Sequence, residues 1–318
     1  MLYFPLWESK APSAWIKSDI AVAVAVMIIA HMVRRIWLEA KANQFILDDT
    51  REEAEQNRII FDKLIKSFVA PVLIQKIEKI CQETGSIAEA LDSVLKRTRT
   101  KASVLYSDVR NFSSRSNNLD FIEKELIPSA VSILDPAEEN LGVARQVADA
   151  VLIYYSLPDP EESILRALKD AIRCSLYEHK RISALGRTQP ERYFTITFGD
   201  ALVGNIASVK HREPTIIGNV ANLATRIDGL TRELAFTSLF PKEPVVLLSS
   251  EAFRIVETFS PTWESLVISL DVLNITLKSY PNERSVIILP AIQKNISTLN
   301  ALLRLNDISE LKVGNSSW

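Results

Sequence analysis

The chain has 318 residues, 47% hydrophobic and 24% charged, with 37 Lys and Arg against 39 Asp and Glu for a formal net charge of −2. Such a length exceeds one average domain, and the composition is that of an ordinary folded protein. The near balance of charge gives no basic field for nucleic acid and no acidic solvating tail, so nucleic acid is not an expected partner.

The first element is an apolar run from Ile20 to Val33, IAVAVAVMIIAHMV, bracketed by Trp15 and by Arg34, Arg35 and Trp37. Aromatic and basic flanks suit a bilayer interface. The strict run is shorter than the roughly 20 residues that span a bilayer. The expected transmembrane helix therefore covers about residues 15–36 of an N-terminal segment 1–37, with Lys17 and the arginines snorkelling at its ends. A buried core helix is the alternative; a cleaved leader suits Glu8 and Asp19 badly, and no small-x-small cleavage site follows. Arg34 and Arg35 set the rest of the chain on the cytoplasmic side of a single-pass membrane protein. Residues 38–67, containing EAKANQFILDDTREEAEQNRIIFD, are rich in helix formers and free of Gly and Pro, and read as a helical linker. Phe45, Ile59 and Leu64 do not sustain heptads, so a solvated helix is expected in place of a coiled coil. A Gly85–Ser86 break and the basic KRTRTK run lead to the first strand.

From Ala102 short β-like runs alternate with helical ones, as an α/β or α+β domain requires. ASVLYSD reads as a strand, LDFIEKELIPSAVSIL as a helix kinked at Pro128, and VARQVADAVLIYY as a second strand region. In ESILRALKDAIRCSLYEHK the residues Ile164, Leu165, Leu168, Ala171, Ile172 and Leu176 recur at helical spacing and face a core. RYFTITFGDALVGNIAS reads as a hairpin turned at Gly199 and Asp200, VANLATRIDGLTREL as a helix, EPVVLLSSEAFRIV as a strand then a helix, and VLNITLKSYPNERSVIIL as a closing hairpin. The tail after Pro290 has a short helical pattern and a polar end. Cys81 and Cys174, the two cysteines, stand far apart without His or Cys at metal spacing, which gives no disulfide framework or zinc site and fits a reducing compartment. His31, His179 and His211 occupy unrelated contexts and read as surface or packing residues. The sequons at Asn274, Asn295 and Asn315 would go unused in a cytoplasmic domain.

Two stretches carry the chemistry. Asp108 ends an apolar strand and Asp149 lies inside VADAVLIYY; carboxylates converging from adjacent strands can hold two hard divalent cations on triphosphate oxygens. Turn or cap residues are the plain alternative. Asn222 and Arg226, four apart on a helix, share a face behind a turn at Gly218 and Asn219. That face offers an amide to orient a ribose and a guanidinium to stabilise charge on a transferring phosphoryl group. Taken alone, Arg226 reads as an ion-pair partner of Asp228 or Glu233.

From about Phe68 to Leu289 the chain resembles class III adenylyl and guanylyl cyclase catalytic domains. The Asp-Ile-Arg-Gly/Asn-Phe-Thr/Ser turn of that family is matched by Asp108, Val109, Arg110, Asn111, Phe112 and Ser113. Its VGNIGS-like hairpin end is matched by Val203 to Ser208, and its IGxxVNLAxR helix entry by Ile217 to Arg226 with Ala221 for Val. The resemblance implies a ferredoxin-like α/β sandwich over residues 68–290, a C-terminal tail over 291–318, and a head-to-tail homodimer with composite sites. It implies conversion of ATP to 3′,5′-cyclic AMP and pyrophosphate with two Mg²⁺ or Mn²⁺ ions. Asp108 and Asp149, with the Val109 carbonyl, would hold the metals; Asn222 and Arg226 would be the transition-state residues. Phe112, Arg145, Thr215 and Lys278 would contact substrate. Three positions depart from the family pattern: Arg145 stands for a base-contacting lysine, Ala148 for a glycine, and Ser279 for the glycine after Lys278. Arg145 and Ala148 keep open the alternative of a membrane-tethered pseudo-cyclase that dimerises without turnover. A guanylyl cyclase would usually carry Glu and a small or thiol residue where Arg145 and Thr215 stand.

Overall fold

The structure is a computed structural model that describes residues 26–36, 69–205 and 214–305. The chain divides into two units, Met1–Val69 with Ala207–Glu213, and Ala70–Ile206 with Pro214–Trp318. In the first unit residues 26–36 are helical, a rise of about 16 Å against a hydrocarbon core of about 30 Å. Among the described residues no helix is long and apolar enough to cross a membrane. The expected span over 15–36 is therefore not found there; its part before residue 26, like the linker over 38–67, lies outside the described residues.

The second unit opens with helices α1 (Pro71–Thr84) and α2 (Ile87–Leu95), separated by Gly85 in the left-handed conformation that ends α1 and by Ser86, whose hydroxyl accepts from Glu89 N–H to start α2. Strand β1 (Thr98–Ser107) follows, then a single helical turn α3 (Phe112–Arg115) and helix α4 (Ile127–Glu139). The kink expected at Pro128 is a π-helical turn over Ile122–Leu126 just before it. Proline cannot donate to the preceding turn and crowds it, and a widened turn relieves both.

The region VARQVADAVLIYY splits into β2 (Val143–Val147) and β3 (Ala150–Tyr155), with Ala148 and Asp149 as the turn between them. Helix α5 (Pro160–Ala184) buries Ile164, Leu165, Leu168, Ala171 and Ile172, with Leu176 packed at the margin of the same core, as its spacing predicts. Next come β4 (Phe194–Asn205), β5 (Pro214–Ile217), α6 (Asn219–Leu230), β6 (Val245–Ser249), α7 (Ser250–Phe259), β7 (Leu266–Ser269), β8 (Ser285–Pro290) and α8 (Gln293–Leu305).

Two expected turns are corrected. Gly199 and Asp200 do not turn a hairpin; they lie inside β4, opposite Ala102 and Lys101 of β1, because the long β1 ladder runs from Thr98↔Val203 to Tyr106↔Thr195 and carries β4 straight through. The strand that leads into β8 and pairs with it is Leu266–Ser269, so the closing hairpin starts earlier than VLNIT, which falls in an irregular connection.

The sheet order is β2-β3-β1-β4-β6-β8-β7, with β5 also on β4. Its first four strands are mutually antiparallel, and α4 and α5 connect β1 to β2 and β3 to β4. That is the ferredoxin-like arrangement expected from the sequence. Alternation along the strands gives the sheet two buried faces. Val246, Leu248, Ile287 and Leu289 pack with α4, α5, α7 and α8, whereas Val245, Leu247, Val286 and Ile288 pack with Ile227 and Leu230 of α6 and with Phe236. Ile296, Leu299 and Leu303 of α8 are buried in the first of these cores; each fully buried side chain of this size contributes about 1.5–3 kcal/mol. Face membership decides where the site forms, since Asp108 follows β1 with the parity of Val104 and Tyr106, the α6 side.

Candidate active site

The register of β1 with β3 ends at Ser107↔Val151. Asp108 is one residue beyond Ser107 and Asp149 two before Val151, so the strand end and the β2–β3 turn deliver both carboxylates to one place. They are close enough to hydrogen-bond each other. Burial first, then that bond and the Asp108 charge, push the Asp149 carboxyl up to about 7. Two acids in this position share a proton or await a cation.

The backbone of the turn is strained. Ala148 has φ 56°, in the left-handed region where an L side chain costs about 1–2 kcal/mol. Ser279 has φ 72°. These are two positions where the family pattern has glycine, and the chain keeps the glycine conformation while losing the glycine.

Asp108 is gripped from α6. Its carboxylate accepts from Arg232 Nη2 at 2.5 Å, and its backbone N–H stands near enough to the Asp228 carboxylate to favour the charged form of that group. Asp228 is 3% exposed, and burial, then the Asp108 charge, hold its carboxyl well above the usual range. Arg192, 2% exposed, has no hydrogen-bond partner on either terminal nitrogen. Burial lowers its pKa, while the charges of Glu178, Asp149 and Asp108 oppose that shift. Burial raises the Tyr106 hydroxyl, helped by Asp108, Asp228 and Asp149. The site thus concentrates three carboxylates and two guanidiniums at the end of β1.

Below it, Glu191 accepts from Arg115 at 2.6 Å, from Arg181 at 2.8 Å and from Arg187 at 2.6 Å, while Arg181 also bonds buried Glu178 at 2.8 Å. The Arg110 N–H bonds the Glu191 carbonyl at 2.8 Å. This network ties the turn after Asp108 to the end of α5. Val109 is buried, with Phe112 packed beside it against Phe121 and Leu126, so the Phe112 ring serves as the floor of the turn.

Asn222 and Arg226 are exposed together on α6. At about 100° per residue, Arg226 and Asp228 lie about 200° apart around the helix. The Arg226–Asp228 ion pair read from spacing is thus not formed; one side chain faces solvent and the other the end of β1. Gly218 permits this helix start, since a Cβ there would stand 3.0 Å from the Asp200 carbonyl oxygen and 3.2 Å from Ala201 Cα. Tyr280 joins the exposed face, donating to the Asn219 carbonyl at 3.0 Å; burial raises its hydroxyl above the usual value, opposed by the Arg226 charge and Asn222. Arg145 on β2 sits opposite Leu152 and near Tyr154, on the α6 side of the sheet. Thr215 on β5 pairs with Gly204. Lys278 is exposed in the connection before β8.

The structure therefore brings Asp108 and Asp149 together, and separately Asn222 and Arg226, and turns the second pair away from the first within one chain. Sequence reasoning missed Asp228, Arg232, Arg192 and Tyr280. Asp228 was legible only as a member of α6 and Arg232 only as a residue just past its end, and neither Arg192 nor Tyr280 stands in a periodic pattern.

Two convergent carboxylates suit a hard cation. Among the described residues no group of three or more His, Cys, Asp or Glu is arranged to hold a metal ion, and an ion such as Mg²⁺ takes one or two carboxylates and completes its shell with water and phosphate oxygens. The donor set fits that use. A shallow surface depression of about 670 Å³, lined by Ser114, Asn117, Asn118, Leu119, Asp120 and Glu123, includes none of the site residues; the chemistry sits at the strand end.

No family model matches the chain. It is 21% identical over 247 residues to an adenylate cyclase of Anabaena cylindrica, covering 72% of this chain and 47% of that protein. It is 26% identical over 137 residues to the terminal-differentiation specific adenylate cyclase of Dictyostelium discoideum, covering 41% of this chain and 6% of that protein. The chain thus spans less than half the length of either curated relative. Among solved structures, a bacterial light-regulated adenylyl cyclase matches with a TM-score of 0.50 at 13% identity, over 82% of this chain and 72% of that one.

Proposed function

We propose, from the premise that residues 68–290 form a class III nucleotide cyclase catalytic domain, that this protein converts ATP to 3′,5′-cyclic AMP and pyrophosphate in a homodimer. The ribose 3′-oxygen attacks the α-phosphorus, the bond to the β-phosphate oxygen breaks, and the hydroxyl proton leaves to solvent. Two divalent cations, Mg²⁺ or Mn²⁺, would supply Lewis acidity and lower the pKa of the attacking hydroxyl.

The protein's own residues hold and orient. Asp108 and Asp149 provide the anionic cradle for the cations, with the Val109 carbonyl beside them. Asn222 orients the ribose and Arg226 neutralises charge developing on the phosphoryl group. Arg145 and Thr215 face the base, and Lys278 is available to the phosphates. Arg145 donates only, so selection of adenine over guanine rests on Thr215, which can donate or accept.

The observation that carries this reading is the division of the residues. The acidic pair and the Asn222–Arg226 pair lie on opposite sides of α6, so one chain holds two unlike halves, and a second copy completes each. The apolar run from Ile20 to Val33, with its aromatic and arginine flanks, supports a membrane anchor with the domain on the cytoplasmic side. The test is cyclic nucleotide production by the full chain with Mn²⁺ and either ATP or GTP, beside Asp149→Asn. Cyclic AMP from wild type and at least a hundredfold loss in the variant is expected, about the scale on which such electrostatic contacts act. A dimer that turns over neither nucleotide would instead favour the pseudo-cyclase, and cyclic GTP product would reassign the substrate.

A further inference from the structure

The last turn of α6 approaches the metal half-site in a way that neither the reaction nor the fold demands. Asp228 is buried, its Oδ1 finds no hydrogen-bond partner, and the backbone N–H of Asp108 stands near enough to favour its charged form. Thr231 locks the carbonyl of the same residue, with its N–H at 2.9 Å and its hydroxyl at 2.7 Å. Four residues after Asp228, Arg232 emerges at the surface, 59% exposed, and places one guanidinium nitrogen on the Asp108 carboxylate, itself 17% exposed. A buried acid thus faces the main chain of Asp108 while a solvent-facing cation covers its side chain. An arginine that is mostly in water can leave at low cost, because exposed ion pairs are weak. The buried contact cannot be exchanged for water in the same way.

We propose that the end of α6 is a positioning device for the metal half-site, in which Asp228 fixes the backbone of Asp108 and Arg232 is a built-in counter-cation that a divalent ion displaces. The inference rests on the reading of Asp108 and Asp149 as metal-holding residues. Asp228 acts through Asp108 and touches neither substrate nor metal, so it is a positioning residue. Arg232 competes with the metal for the same oxygen, and it also keeps the Asp108–Asp149 pair from repelling when no metal is bound. Arg192, buried and lacking hydrogen-bond partners on its terminal nitrogens, stays behind as a fixed charge when Arg232 leaves.

The experiment is Mn²⁺ binding to the full chain without nucleotide, followed by the electron paramagnetic resonance signal of the free ion. Arg232→Met is expected to tighten binding by about two- to fivefold, the range of an exposed ion pair. Asp228→Ala is expected to weaken it by about ten- to a hundredfold, as loss of an outer-shell partner does. Asp228→Asn, whose side-chain oxygen still accepts the Asp108 N–H, should restore it. If Asp108→Asn abolishes binding while Arg232→Met leaves it unchanged or weaker, the counter-cation role is overturned and the metal site stands. If Asp228→Ala folds and binds Mn²⁺ like wild type, the positioning role is overturned. If Asp108→Asn and Asp149→Asn bind as wild type does, or the wild type itself binds no Mn²⁺, the metal reading itself fails and takes the inference with it.

Discussion

At the residue scale the acidic pair sets a cost that depends on pH. Asp149 has its carboxyl raised from 3.8 to about 7 in the folded chain. A folded pKa above the unfolded one means that stability is fully present below the unfolded value and is lost as pH rises through the folded one. In metal-free protein Asp149→Asn should therefore raise the Tm more at about pH 8 than at about pH 5, read by thermal unfolding in a chelator. A gain independent of pH would contradict the pairing with Asp108. The neighbouring Ala148 gives a second expectation: Ala148→Gly removes left-handed strain of about 1–2 kcal/mol and loses about 0.5–1 kcal/mol to unfolded-state entropy, so it should stabilise the fold by up to about 1.5 kcal/mol in denaturant unfolding. Asp108 was legible because an apolar strand ends on it. The meaning of Ala148 was not, since a missing glycine shows neither sign nor size until its φ is known.

At the scale of elements, amphipathic spacing made α5 readable, because one face is buried along its length. Gly199 and Asp200 misled for the opposite reason. A Gly-Asp pair between two apolar runs has the composition of a turn, and only the ten-residue partner strand β1 reveals that the ladder continues past it. Gly199 is also where Val220 approaches, 3.9 Å from the position a Cβ would take, so the glycine marks helix–strand proximity. The placement of α4, α5 and the sheet depends on a polar knot that no period announces. Asp170, 1% exposed, accepts from Tyr155 at 2.5 Å and from Asn140 at 2.7 Å and lies 3.2 Å from Arg173. Burial nonetheless outweighs these partners and raises its carboxyl. Asp170→Ala leaves a buried hydroxyl, an amide and a guanidinium without their acceptor and should destabilise by about 3–5 kcal/mol, with Asp170→Asn less damaging. Chemical unfolding of the two variants checks this; equal small losses would mean that Asp170 is not the centre of the knot.

At the scale of the whole molecule, the ferredoxin-like order was expected from resemblance, and the strand register carries it. The chain's α6 serves two directions at once: its inner face turns Asp228 toward Asp108, with Arg232 just past its end on the Asp108 carboxylate, and its outer face presents Asn222 and Arg226 with Tyr280. The outer pair was legible from four-residue spacing. The inner pair was hidden, because the distance from Asp108 to Arg232 is 124 residues in sequence, and only folding brings them together. On the proposed reading, a domain built this way would hold half of each of two sites.

Mixing two inactive variants tests that division most directly. Asp149→Asn damages only the acidic half and Arg226→Ala only the outer half, so each homodimer has two broken sites, while a mixed dimer has one broken twice and one intact. Random exchange of equal amounts makes about half of the dimers mixed, and one intact site of two in each predicts recovery of about one quarter of wild-type cyclic nucleotide production. Activity that stays at the level of the separate variants after exchange, with mixed dimers demonstrated by differential tagging, would contradict the account.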